Sequence, residues 1–172
     1  MRLKTYFCSR VSVVFLLIFT APSGCQQASG EPGWQKLDAV AFSIMAPPGW
    51  RLHQLPGADS YVGELIGDTV VLRFDFGAHS NPLQDVKAPV YVILNRRIAG
   101  HRARVVSPRT PGHGITGVYF PKTFDSNKLS VFAKDLNSEQ EELVLKIFET
   151  IQFGRTVPPI VPPPPPANVN AQ

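Results

Sequence analysis

Between residues 40 and 134, apolar side chains return at every second position, in short runs cut by proline and glycine. A period of two places alternate side chains on opposite faces of an extended chain, so each run reads as a half-buried β-strand. Residues 69–77 show it best: Val70, Leu72, Phe74 and Phe76 share one face, and Val71, Arg73 and Asp75 share the other. The same reading gives strands over residues 40–46, 50–55, 60–66, 90–97, 101–107, 115–120 and 129–134. Pro47-Pro48-Gly49, Pro56-Gly57 and Gly67-Asp68 are the turns, because proline presets φ and glycine accepts a positive φ. Asn81-Pro82 marks residues 78–88 as loop, and 108–114 form another.

Helical spacing belongs to residues 138–150, where Leu143, Val144, Ile147, Phe148 and Ile151 make one apolar stripe. Ser138 and Glu141 have capping-box spacing, and Glu139, Glu141 and Glu142 lie at the positive end of the helix dipole. The expected fold is α+β: one domain over residues 34–155, a twisted antiparallel sheet covered on one face by this C-terminal helix. That length suits a single core. Seven of the nine residues from 158 to 166 are proline, which excludes helix and sheet ladder. Residues 156–172 are therefore predicted to be a disordered tail in polyproline II, either a ligand for an aromatic groove or a spacer.

Phe42-Ser43-Ile44-Met45-Ala46-Pro47-Pro48-Gly49-Trp50 resembles the opening of PsbP-like domains. There an early strand runs into Pro-x-Gly-Trp. The closing strand, the capped helix and Ile151-Gln152-Phe153 resemble the end of the same family. The resemblance implies a sandwich of antiparallel sheet and packed helices. It also implies a non-catalytic accessory role, in many bacterial members an exported lipoprotein of unassigned activity.

The N-terminus points the same way. Arg2, Lys4 and Arg10 precede an apolar run over residues 11–21, then Pro22, Ser23, Gly24 and Cys25. This is the order of a secretory signal, and the run is shorter than the ~20 residues of a spanning helix. Residues 1–24 are read as the signal and 25–33 as a tether. Cys8 leaves with the signal, so Cys25 remains as a single thiol, placed like the lipid-modified cysteine of bacterial lipoproteins. Pro22 stands where those signals carry an aliphatic residue, so ordinary cleavage within residues 21–30, giving a soluble periplasmic or secreted protein, is the alternative. Gln26 after the cysteine resembles outer-membrane members facing the periplasm.

Losing Arg2, Lys4 and Arg10 leaves 14 cations against 13 acids, so the formal charge falls from +4 to +1. Bulk charge therefore offers a nucleic-acid partner no support. Local charge is another matter. Arg96, Arg97, Arg102, Arg104 and Arg109 crowd one hairpin, with His101 among them. Guanidinium groups grip carboxylates and phosphates bidentately. The anions of an envelope are glycan carboxylates, lipid headgroups and acidic proteins. The alternative is a charged edge that only blocks strand-to-strand association. The runner-up reading is an envelope hydrolase or metal-assisted enzyme with a shallow acidic site of Asp59, Glu64 and Asp75, near His79. No HExxH, cysteine pair or G-x-S-x-G elbow accompanies them, so neither a metal nor a cofactor is expected.

Overall fold

The computed structural model describes residues 31–154 and 160–163; the expected signal, Cys25 and most of the proline tail lie outside them. Ten strands and one helix follow in order: β1 (Gln35–Asp38), β2 (Phe42–Ala46), β3 (Arg51–Leu55), β4 (Tyr61–Ile66), β5 (Val71–Gly77), β6 (Tyr91–Ile98), β7 (His101–Pro108), β8 (Ile115–Phe120), β9 (Lys128–Lys134), α1 (Ser138–Glu149) and β10 (Gln152–Phe153). The expected single sheet is corrected to two. Strands β3-β4-β5-β9-β8-β7-β6 make a seven-stranded sheet, and β1-β2-β10 a three-stranded one. Every pairing is antiparallel.

The large sheet is two meanders joined at β5–β9. Strands β3, β4 and β5 follow one another, and the chain then crosses to the far edge as β6 before returning through β7 and β8 to β9. The inner face carries the main core: Leu72, Phe74, Phe76, Val105, Val118, Phe120, Leu129 and Val131 are buried. Phe42 and Ile44 from β2 and Val144, Ile147 and Phe148 from α1 close it from above. The helix therefore shares the cover with the small sheet. Thr150, at the helix C-terminus, ties these two covers together, its Oγ1 accepting from the Met45 N–H at 2.9 Å.

The helix cap also differs from expectation. Asn137, extended at φ −68° and ψ 172°, accepts from the Gln140 N–H, and the Gln140 side chain accepts from the Asn137 N–H. The reciprocal pair is thus shifted one residue back from Ser138 and Glu141. Both frames fit the spacing, and the backbone geometry at Asn137 selects between them.

The crossover, residues 78–90, lies on the outer face of the large sheet. Ser80 anchors its start, donating to the Asp75 carbonyl at 2.8 Å and placed 3.2 Å from the Lys128 carbonyl. Asn81 accepts from the Leu83 N–H at 2.9 Å, which turns Leu83 inward at φ 52°. Leu83 and Val86 then bury against Val106 and Tyr119 in a second, smaller core. Gly117 makes room: a Cβ there would stand 2.8 Å from Leu83 Cδ1. At the far edge, Ala99 and Gly100 close the β6–β7 hairpin with φ of 49° and 79°. Positive φ at both central residues is the requirement of a type I′ turn, which matches the twist of the flanking strands.

Candidate anion-binding site

The register of β6, β7 and β8 decides which arginines meet. Arg97 stands directly opposite Arg102, and Asn95 opposite Arg104. Arg104 in turn faces Tyr119 on β8. Opposite residues of an antiparallel pair share a face, as do residues two apart. Arg97, Arg102, Arg104, Asn95 and Tyr119 therefore all stand on the outer face, beside the crossover. They line a cavity of about 540 Å³ walled by Pro82 and Gln84 of the crossover and by Pro121 after β8.

Two of the five expected arginines separate from this group. Arg96 borders the cavity, but it is one residue out of phase with Arg97, and its guanidinium pairs with Glu149 of α1 on the inner side. Arg109 follows the other end of β7, where its N–H bonds the Val90 carbonyl at 2.9 Å. Five strand residues from Arg104 amount to about 16 Å. His101 also turns away, its ring centroid 4.6 Å from that of Phe153. The period of two could have separated Arg96 from Arg97 in the sequence. Asn95, two residues before Arg97, carries the same signal. Tyr119 and the prolines carry none, since they arrive through strand register and the crossover.

The electrostatics are one-sided. Among the described residues no carboxylate pairs with Arg97, Arg102 or Arg104. Arg97 Nη1 donates to the Gly100 carbonyl at 2.9 Å, which holds that side chain against the turn. Arg104 Nε is buried with no hydrogen-bond partner among the described residues. Burying a donor on a charged group without an acceptor is unfavourable, and like charges directly opposite on a sheet repel. An anion placed in the cavity would relieve both. Tyr119 is 9% exposed, and its hydroxyl has no partner among the described residues. Burial pushes its pKa above the ordinary 10.0, so at neutral pH it is a hydrogen-bond donor.

The acidic candidates do not converge. Glu64 on β4 accepts from Arg73 Nε at 3.1 Å and is neutralised by it. Glu64 and Arg73 border a separate cavity that neither Asp59 nor Asp75 lines. Asp59 is exposed in the bend before β4, and His79 is exposed after β5. Asp75 faces Ser130 across β5–β9, with its Oδ1 and the Ser130 Oγ both buried and without a partner among the described residues. Among the described residues no group of three His, Cys, Asp or Glu side chains is placed to hold a metal ion. No described helix is long and apolar enough to cross a membrane. Set against family models, curated proteins and solved structures, the chain matches none of them.

Proposed function

We propose that this chain is an exported cell-envelope protein, anchored through lipid on Cys25 to the outer membrane and facing the periplasm. In this reading it is a non-catalytic binding or accessory module whose anionic partner, a glycan, a lipid headgroup or an acidic protein surface, docks at Arg97, Arg102 and Arg104. A PsbP-like α+β sandwich is the fold that accompanies it, supported by a large antiparallel sheet covered by helix and small sheet.

One observation carries the binding role: three guanidinium groups without carboxylate partners among the described residues border one walled cavity, and one of them has a buried Nε that no described residue satisfies. A merely solvated edge does not explain that atom. Arg104 lies on β7, the second strand in, and is half-buried. The acidic alternative draws no comparable support, because Glu64 already has its cation.

The test uses the full chain with citrate and inorganic phosphate as probes. Both bind with affinity that falls as salt rises, and the Arg102→Ala/Arg104→Ala double variant loses binding at least about tenfold. Equal affinity of variant and wild type overturns the site. An intact mass of protein from membranes of its native host shows acyl chains on Cys25; an unmodified chain beginning at Met1 overturns the anchor.

A further inference from the structure

The cavity's size and lining narrow the ligand further. A water occupies about 30 Å³ in the liquid, so a bare phosphate fills roughly two or three such volumes. The cavity holds about 540 Å³, within the range of sites for small organic molecules. A free inorganic anion leaves most of it empty. Three guanidiniums without a carboxylate partner among the described residues also exceed what one carboxylate neutralises, whereas a phosphate monoester carries about −1.5 to −2 at pH 7. Apart from Arg96, whose charge Glu149 takes up, the remaining lining is neutral and includes two useful kinds of group. Tyr119 and Asn95 offer a hydroxyl and an amide, and Pro82 and Pro121 offer flat apolar rings. Hydroxyl groups on an otherwise carbon-faced ring match that pairing of donors and walls.

Resting on the anion-binding reading above, we infer that the ligand is a phosphorylated sugar, its phosphate on Arg102, Arg104 and Arg97 and its ring between the two prolines. Arg97 and Arg102 come from neighbouring strands about 4.8 Å apart, and Arg104 stands about 7 Å along β7 from Arg102. The phosphate oxygens can therefore take donors from two strands at once, as bidentate guanidinium recognition favours. The Asn95 amide and the Tyr119 hydroxyl, on either side of Arg104 in the register, reach the sugar hydroxyls. The source is either a soluble sugar phosphate or the headgroup of a phosphorylated glycolipid.

Calorimetric titration of the full chain with glucose 6-phosphate, inorganic phosphate, glucuronate and glucose tests this. Glucose 6-phosphate binds at least about tenfold more tightly than inorganic phosphate or glucuronate, and glucose does not bind. Asn95→Ala and Tyr119→Phe each weaken glucose 6-phosphate by about three- to tenfold and leave inorganic phosphate unchanged. Arg104→Gln weakens both by about tenfold or more without lowering the melting temperature, which separates lost binding from lost folding. Equal affinity for inorganic phosphate and the sugar phosphate overturns the sugar assignment while leaving the anion site standing. Glucuronate binding as tightly as glucose 6-phosphate overturns the phosphate assignment. Binding of none of the three anions overturns this inference and the anion site together. Co-sedimentation with phosphatidylcholine vesicles carrying a phosphorylated glycolipid, but not with vesicles carrying phosphatidylglycerol, assigns the membrane as the source. Binding of glucose 6-phosphate without vesicle capture assigns the soluble one.

Discussion

On the inner face of the large sheet, β5, β8 and β9 bury Phe74, Phe120 and Val131 beneath the helix and the small sheet. One residue further along each strand or back from it, the outer face presents Asp75, Tyr119 and Ser130. The first face is closed on itself, each ring meeting another, as Phe42 meets Phe74 edge-on at 5.3 Å. The second is partly open: Asp75 Oδ1, Ser130 Oγ and Arg104 Nε are all buried there without partners among the described residues. The same strands thus supply stability on one side and unsatisfied polar groups on the other. Such groups lower stability unless something binds them, which is why the outer face is where a ligand should be sought.

Substitutions can break that contrast, and their effects should descend in size. Phe148→Ala, on the inner side and fully buried, lowers stability by about 3–5 kcal/mol in urea unfolding. A loss below 1 kcal/mol would mean the inner face is not the main source of stability. Leu83→Ala removes the plug of the outer cluster and lowers stability by about 2 kcal/mol, since the exposed crossover can partly collapse into the gap. Because Pro82 and Gln84 wall the cavity, the same variant also weakens probe binding. Full affinity in Leu83→Ala would show that the crossover is no part of the site.

Smaller effects sharpen the picture by sign. Arg102→Gln raises stability by a few tenths of a kcal/mol at low salt, because it relieves the repulsion from Arg97, and the gain vanishes at high salt. Arg73→Gln moves the other way, by up to about 1 kcal/mol, as it strands Glu64. Matching signs for the two would erase the distinction between paired and unpaired charge. The last effect is confined to alkaline pH. Burial raises the Tyr119 pKa above 10.0, so the unfolded chain releases that proton first. Stability is therefore unaffected below pH 10 and declines as pH climbs from 10 toward the folded value. Tyr61, raised by burial and by Asp38, declines in the same window. Tyr119→Phe flattens part of that fall in pH-dependent melting; an unchanged slope removes the tyrosine from the account.

Much of this architecture was legible in the alternation of residues. The alternation puts Val70, Leu72, Phe74 and Phe76 on one face, and all four are buried. The small sheet was less visible. Gln35-Lys36-Leu37-Asp38 is mostly polar, and becomes a strand by pairing with β2, while Gln35 Nε2 donates to the Trp50 carbonyl at 2.8 Å. No local pattern encodes that contact. The arginine cluster is visible as composition, and the period of two sets Arg96 apart from Arg97, whereas the Glu149 partner of Arg96 and the Val90 partner of Arg109 come from tertiary structure. Tyr119 joins the site through β7–β8 pairing, and Pro82 through a crossover whose path depends on the whole topology. Strands are local facts of a sequence; which strands become neighbours is not.

The junction of the two meanders has a temporal side. Phe74 pairs with Val131, 57 residues downstream, so β5 is a bare edge until nearly the whole domain has been made. Non-local pairing of this kind is slow, and an open strand edge recruits other chains. A copy truncated before Lys128 should therefore aggregate, with the exposed edge at Val71–Gly77 as the point where chains join.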